Sequence, residues 1–183
     1  MTIENSARAA LRAATSEHHE RVDRVFSGAA LGVRDSYARF LRAQAAALLP
    51  VEAALDRDGV AAVVPDWPAR QRSDLLRWDL SDLGADPPEP AGDISFDGEA
   101  ALLGGLYVLE GSRLGGTLLK RAVPPHLPAR FLGGVDSGAW RRLLGLLDDR
   151  LDDEPARVAA IAAAGDVFRL FEVSGRRYLA GVQ

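Results

Sequence analysis

Two adjacent histidines near the start of the chain, His18 and His19, could bind a metal or carry a proton. A lone histidine is more often a surface or core residue than a ligand, so the neighbouring residues must decide between the two. On a helical wheel at about 100° per residue, the apolar positions fall on one stripe, which is formed by Leu11, Ala14, His18, Val22 and Val25. Periodicity alone therefore predicts that His18 is buried and that His19 lies at the edge of the stripe.

The residues around His19 favour the opposite choice. Asp23 follows His19 by four positions, so its carboxylate could accept a hydrogen bond from the ring nitrogen that does not bind metal, which orients a ligating imidazole. Arg12 precedes His19 by two turns, about 10 Å along the same face, within reach of the edge of a wide planar ligand. His18 has Val22 and Arg21 as the corresponding neighbours, and we expect neither to orient it. An ordinary solvated helix face is the alternative explanation of Arg12, His19 and Asp23.

Segment 104–116 contains five glycines in thirteen residues, which is unusual inside a helix. Each glycine costs roughly 0.5–1 kcal/mol relative to alanine. The glycines could break the helix, allow close packing between helices, or let the backbone approach a flat ligand. Gly111 and Gly115 lie four positions apart and share a face with Tyr107, so they form a smooth strip suited to a planar macrocycle. The segment has neither a P-loop nor a dinucleotide-binding pattern.

Both segments resemble signatures of the heme oxygenase family. The segment Ala14–His19 is similar to the family's proximal motif, in which the ligand histidine follows a threonine by four positions, and this register selects His19. The segment Leu109–Gly116 resembles the distal motif in the form carried by bacterial members found alongside bacteriophytochromes. Because the spacing of the motifs, the length and the helix order also agree, the resemblance covers essentially the whole chain.

The resemblance implies a role for each matching residue. His19 would bind the iron with support from Asp23, and Gly111, Ser112 and Gly115 would form the catalytic surface over the opposite heme face. The other heme-binding positions implied in this way are Arg12, Thr15, Tyr107, Gly116, Arg141 and Phe168. Among these, Arg12 and Arg141 (with Arg142 next to it) would bind the propionates, and Phe168 would line the pocket.

Ser112 departs from the animal-type members of the family, which carry an aspartate directly after the first distal glycine. That aspartate organises the water network of the pocket. Bacterial members often lack it, so activity remains the expectation. Ordered water held by the backbone of the glycine-rich helix and by Ser112 would then deliver protons.

The activity implied by the resemblance is oxidative cleavage of heme b to biliverdin, CO and ferrous iron, with O2 as oxidant. The sequence contains no flavin, nicotinamide or iron–sulfur motif, so electrons would come from a ferredoxin, a flavodoxin or a reductase. The bacterial form of the distal motif implies a bacteriophytochrome as acceptor of the product. The alternative is a non-catalytic heme carrier or sensor on the same fold.

Two other helical enzyme classes fit less well. A di-iron carboxylate bundle needs paired Glu-x-x-His motifs on two helices, and the segment Glu17–Glu20 does not supply that spacing. A thiaminase-like relative would need a cysteine nucleophile, and the chain has no cysteine.

Composition favours one all-α domain over residues 1–183, with 48% hydrophobic residues and a net charge of −4. No basic stripe or tail indicates nucleic acid. The N-terminal segment does not resemble a signal peptide, and the longest apolar run, Ala100–Leu109, is too short to span a bilayer. We therefore expect a cytoplasmic protein without membrane insertion.

The heme oxygenase-like fold implied by the resemblance would place heme between a proximal N-terminal helix and a kinked, glycine-rich distal helix. Apolar residues recur at three and four positions throughout, which is typical of helices. Either Asn5 or Ser6 would cap the first helix, and Pro50 predicts a kink or a break in the second. The three tryptophans, Trp67, Trp78 and Trp140, are expected in the core or at its edge. Helices are predicted at about 6–26, 36–56, 67–84, 98–121, 137–151 and 155–179.

Overall fold

The computed structural model describes residues 6–134 and 136–180, and every regular element in these ranges is helical. The prediction of an all-α fold is therefore confirmed. A short 3₁₀ turn at Trp67–Ala69 accompanies seven α-helices in the described ranges. The α-helices are α1 (Ala7–Phe26), α2 (Arg34–Arg57), α3 (Val60–Val63), α4 (Ser73–Asp82), α5 (Gly98–Lys120), α6 (Ser137–Arg150) and α7 (Glu154–Leu179).

Helix α7 lies at the centre and packs against α1, α2 and α5, whereas α6 contacts α1 and α5. Small residues allow the close approach of these helices. A Cβ atom at Gly104 of α5 would overlap the backbone carbonyl of Ala160 on α7, and one at Gly175 of α7 would lie 2.5 Å from Val25 Cγ1 on α1. The central position of α7 fixes where α1 and α5, the two helices that carry the motifs, lie in the molecule.

The start of α1 has the predicted cap. The Ser6 hydroxyl accepts a hydrogen bond from the backbone N–H of Ala9 at 3.3 Å, which satisfies one of the free donors of the first turn. The alternative cap, Asn5, lies outside the described residues. Among the described residues, no helix is both long and apolar enough to cross a membrane.

Helix α2 continues through Pro50 from Arg34 to Arg57, so of the predicted kink or break the break does not occur. Proline lacks the N–H that would bond to the carbonyl four residues earlier. That carbonyl, Ala46 O, instead accepts a hydrogen bond from the Ala91 N–H at 2.8 Å. The segment between α4 and α5 thus supplies the missing donor and is anchored to α2.

The single helix predicted at 67–84 is also wrong, because the chain forms a 3₁₀ turn and then starts α4 at Ser73. The buried carboxylate of Glu52 determines this start. It accepts hydrogen bonds from the backbone N–H groups of Arg72 and Ser73, each at 2.9 Å, and from the Ser73 hydroxyl at 2.6 Å. A carboxylate from α2 therefore caps α4, a contact between residues 20 positions apart.

Candidate functional site

His19 lies on the outer side of α1 with its ring 63% exposed, and its Nδ1 is 3.0 Å from Asp23 Oδ2. A carboxylate that accepts from Nδ1–H fixes the tautomer in which Nε2 carries the lone pair. The predicted orientation of His19 by Asp23 is therefore present in the fold. Nε2 is the nitrogen that this arrangement leaves to bind a metal.

His18 points into the contact between α1 and α7, where its ring stacks on Phe168 with 6.2 Å between centroids. Its Nδ1 lies 2.8 Å from the Arg21 guanidinium, so the expectation that Arg21 cannot orient His18 is wrong. Its Nε2 faces Gly165, where a Cβ atom would lie 3.6 Å away. Periodicity correctly indicated that His18 is the more buried histidine, and this packing leaves His19 on the open side.

Phe168 also contacts the ring of His19, edge-on at 6.0 Å between centroids. One aromatic side chain of α7 therefore packs against both histidines. The structure thus places Phe168 of α7 against His19, the partner of Asp23, although the two rings lie 149 positions apart in the sequence.

Tyr107 connects α5 to α1. The Thr15 side chain and the positive charge of Arg12 both lie close enough to the Tyr107 hydroxyl to influence its pKa. Burial raises the pKa of Tyr107, although Thr15 and Arg12 act in the opposite direction. Tyr107 is therefore a neutral phenol at physiological pH. His19 lies one turn beyond Thr15 on α1, and Gly111 lies one turn beyond Tyr107 on α5.

One face of α5 beyond Tyr107 is apolar and largely exposed; we call it the open face and define it by Gly111, Leu114, Gly115 and Leu118. The side chain of Leu118 is 63% exposed and that of Leu114 is 43% exposed. A Cβ atom at Gly115 would meet no other atom within 4 Å, and one at Gly111 would lie 3.7 Å from Trp140 Cη2. An exposed apolar strip of this kind is a candidate binding surface.

Gly116 does not belong to the open face. It is buried on the other side of α5, where a Cβ atom would lie 3.7 Å from the Leu132 carbonyl oxygen. In this structure Gly116 packs against the segment before α6. Its contact with heme stays a prediction.

Ser112 is fixed by a buried arginine that the sequence did not single out. Arg72 is 3% exposed, and its guanidinium donates to both Ser112 Oγ and Leu109 O at 2.9 Å. The Ser112 hydroxyl in turn donates to Leu109 O at 2.6 Å. Its proton is thus engaged within α5, and a lone pair is what Ser112 can offer to a neighbouring water.

Burial lowers the pKa of Arg72 to about 10, with the charge of Arg113 acting in the same direction and Glu52 and Glu110 acting against them. Arg72 therefore stays charged at neutral pH. Glu110 also pairs with Arg113 at 3.0 Å. No local sequence signal indicates this network, because Arg72 and Ser112 lie 40 positions apart.

Two further candidates lie on α6. Arg141 is exposed, and its Nε donates to the Ser137 carbonyl at 3.3 Å. Trp140 packs on Tyr107 with 5.8 Å between ring centroids, so it belongs to the site rather than only to the core edge. The expectation for Trp78 is wrong, because its side chain is 55% exposed on α4.

No protein-family model matches the sequence. A heme oxygenase from Xanthomonas campestris is 36% identical over 144 residues, which cover 75% of this chain and 87% of that protein. The heme oxygenase PigA of Pseudomonas aeruginosa is 34% identical over 184 aligned positions, with coverage of 93% and 91%. The chain belongs to the heme oxygenase family. Membership agrees with the positions of the proximal and distal motifs on α1 and α5.

Solved heme oxygenases share the fold of this family member. The enzyme of Neisseria meningitidis, known in NO- and CO-bound forms, superposes with a TM-score of 0.83 at 24% identity, over 96% of this chain and 92% of that chain. The heme oxygenase of Leptospira interrogans gives a TM-score of 0.72 at 21% identity, with coverage of 94% and 99%. The predicted fold class is thus confirmed over almost the whole chain.

The residues of this family member fit a heme group on two structural observations. Its donor set offers an imidazole whose Nδ1 is already engaged by Asp23. Its distal helix offers an apolar face on which Gly115 leaves open space. Helix α5 is uninterrupted from Gly98 to Lys120. Whether it bends at the glycines stays a prediction.

Proposed function

We propose that this chain binds heme b between α1 and the open face of α5 and cleaves it oxidatively to biliverdin, CO and ferrous iron. The observation that carries the proposal is the His19–Asp23 pair at 3.0 Å, on the exposed side of α1. When bound, heme supplies both the iron that activates O2 and the ring that is cleaved. The protein would supply the iron ligand, the surfaces that position heme, and the groups that order water for proton transfer.

His19 would bind the iron through Nε2, and Asp23 would keep its ring oriented by accepting from Nδ1. Phe168 would restrict rotation of the His19 imidazole through the edge-on contact between the two rings. A neutral histidine pushes less electron density towards the iron than a thiolate does, which disfavours early cleavage of the O–O bond. The ligand type therefore suits oxidation of the ring itself.

Gly111 and Gly115 would leave room for O2 beside the backbone of α5. Ser112 would accept a hydrogen bond from a water in this space, because its own proton is held by Leu109 O. Arg72 keeps the serine in that orientation. In this scheme Ser112 orders the water, and the water carries the proton.

Arg12 would bind one propionate at the edge where Tyr107 and Thr15 join α5 to α1. Arg141, exposed on α6, would bind the other. Electrons would come from a ferredoxin, a flavodoxin or a reductase, and a bacteriophytochrome would accept the product. A cytoplasmic location stays a prediction.

The test is reconstitution with hemin, followed by a reductant and O2 with product chromatography. We expect a Soret band and then biliverdin. His19→Ala should lose the native Soret band and turnover, whereas the matched variant His18→Ala should keep the ligand. Loss of ligation in His18→Ala with retention in His19→Ala would show that the wrong histidine was chosen.

A second candidate function, a non-catalytic heme carrier, is favoured by one observation. The Ser112 proton is directed at Leu109 O rather than into the pocket, so Ser112 is not itself a proton donor there. Stable heme binding with no biliverdin under reductant and O2 would support the carrier and exclude the enzyme.

A further inference from the structure

Trp140 covers one end of the open face and leaves the other end bare. Its Cη2 would lie 3.7 Å from a Cβ atom at Gly111, and its ring lies 5.8 Å from that of Tyr107 at an interplanar angle of 32°. One turn further along, Gly115 has no atom within 4 Å of the Cβ position. The open face is thus asymmetric along the helix axis.

The indole is held in place by the packing of α6, in which Leu143 and Leu147 are fully buried. Asp136 caps the helix by accepting from the Gly138 N–H at 2.8 Å. The backbone that carries Trp140 is therefore anchored on both sides of the residue.

A fixed aromatic ring at one end of a flat binding surface restricts how a planar ligand can rotate in its own plane. The four meso carbons of heme b differ in their neighbouring ring substituents, so in-plane rotation decides which of them lies beneath the distal helix. Salt bridges between arginine and propionate hold one edge and tolerate rotation, because exposed ion pairs contribute little energy. Steric contact with a fixed aromatic ring constrains the in-plane rotation of heme more strongly.

We propose that Trp140 is a specificity-determining residue, which fixes the in-plane rotation of bound heme and so selects the meso carbon that is oxidised. The proposal rests on the proposed heme oxygenase function. The indole of Trp140 packs against Gly111 and against the ring of Tyr107. The shape of the site, and not charge alone, then determines the biliverdin isomer.

Two readouts on three variants test this. Proton NMR of the cyanide complex of the ferric protein reports the seating of heme through its shifted methyl resonances and needs no turnover. Chromatography of the product gives the isomer ratio. The variants are Trp140→Ala, Trp140→Phe and, as a matched control, Trp78→Ala, whose indole is exposed on α4.

We expect one dominant set of methyl resonances in the parent, and a second set and a second isomer in Trp140→Ala at several times their parent share. Trp140→Phe should give an intermediate ratio, and Trp78→Ala should match the parent. If Trp140→Ala does not fold, Trp140→Phe decides the question by the same ratio.

Parent-like resonances and isomers in the folded Trp140 variants would overturn the proposal. A change of equal size in Trp78→Ala would overturn it as well. Failure of the proposed function looks different, because the parent itself would then give no biliverdin while its NMR spectrum still reported how heme is seated.

Discussion

The two halves of α5 use glycine for opposite reasons. In the upstream half, residues 98–110, a Cβ atom at Gly104 would lie 2.8 Å from the Ala160 carbonyl carbon of α7. In the downstream half, residues 111–120, a Cβ atom at Gly115 would meet nothing within 4 Å. The residue type and the helix are the same, but one glycine is required by the protein's own packing and the other is not.

The difference shows what offsets the low helix propensity of glycine in each half. Close packing of α5 on α7 stabilises the upstream half in the protein itself. In the downstream half, Gly116 is the buried residue, and no contact within residues 6–134 and 136–180 explains Gly115. A ligand that lies on the open face is the explanation that remains for a glycine there.

The largest effect should come from Gly104→Ala. The added methyl group would overlap the Ala160 backbone, which cannot move aside as a side chain can, so α5 and α7 must separate. Overpacking of this kind costs about 3 kcal/mol or more of unfolding free energy, measured by chemical denaturation. A loss below about 1 kcal/mol would show that the upstream glycines do not serve packing.

Arg72→Met should give the next largest effect, because Arg72 attaches the start of the downstream half to α4. Two hydrogen bonds from a buried charged donor would be lost at Leu109 O and Ser112, which costs about 2–3 kcal/mol of unfolding free energy. The matched control is Arg77→Met on the exposed side of α4, whose pair with Asp74 is worth under about 1 kcal/mol. Equal losses in the two variants would contradict the anchoring role.

Gly105→Ala should destabilise the protein less than Gly104→Ala. Its Cβ atom would lie 2.5 Å from Phe96 Cε1, and an aromatic side chain can shift where a backbone cannot. We expect a loss of about 1–2 kcal/mol in the same denaturation measurement. A loss larger than that of Gly104→Ala would mean that the α5–α7 backbone contact is not the tighter of the two.

Gly115→Ala should have the smallest effect on stability and the opposite sign. Without heme, the unfolding free energy should rise by about 0.5–1 kcal/mol through helix propensity alone. The control is Gly145→Ala on α6, where the Cβ position is equally open. Heme or CO affinity should fall several-fold in Gly115→Ala and stay unchanged in Gly145→Ala; equal affinities in the two variants would remove the ligand explanation of Gly115.

Much of the site could be predicted from local sequence, because its parts repeat at helical spacing. The His19–Asp23 pair and the shared face of Gly111 and Gly115 follow from positions four apart on one helix. Gly116 was expected at the heme from the resemblance alone, and it packs against Leu132 on the buried side of α5. Arg72, directly before α4, and Trp140 of α6 contact α5, and no periodicity within α5 contains that information.

The sequence by itself determined the helical class and the approximate bounds of most helices, which depend on apolar periodicity. The choice of His19 came from the Asp23 spacing and the family register rather than from periodicity, and it stays a prediction. Tertiary structure alone decided that α2 continues through Pro50, since Ala91 supplies a donor from another segment. It also decided that α4 begins at Ser73, where Glu52 of α2 caps it. Both depend on buried hydrogen-bonding groups that must find partners, and the folded chain supplied those partners from residues distant in sequence.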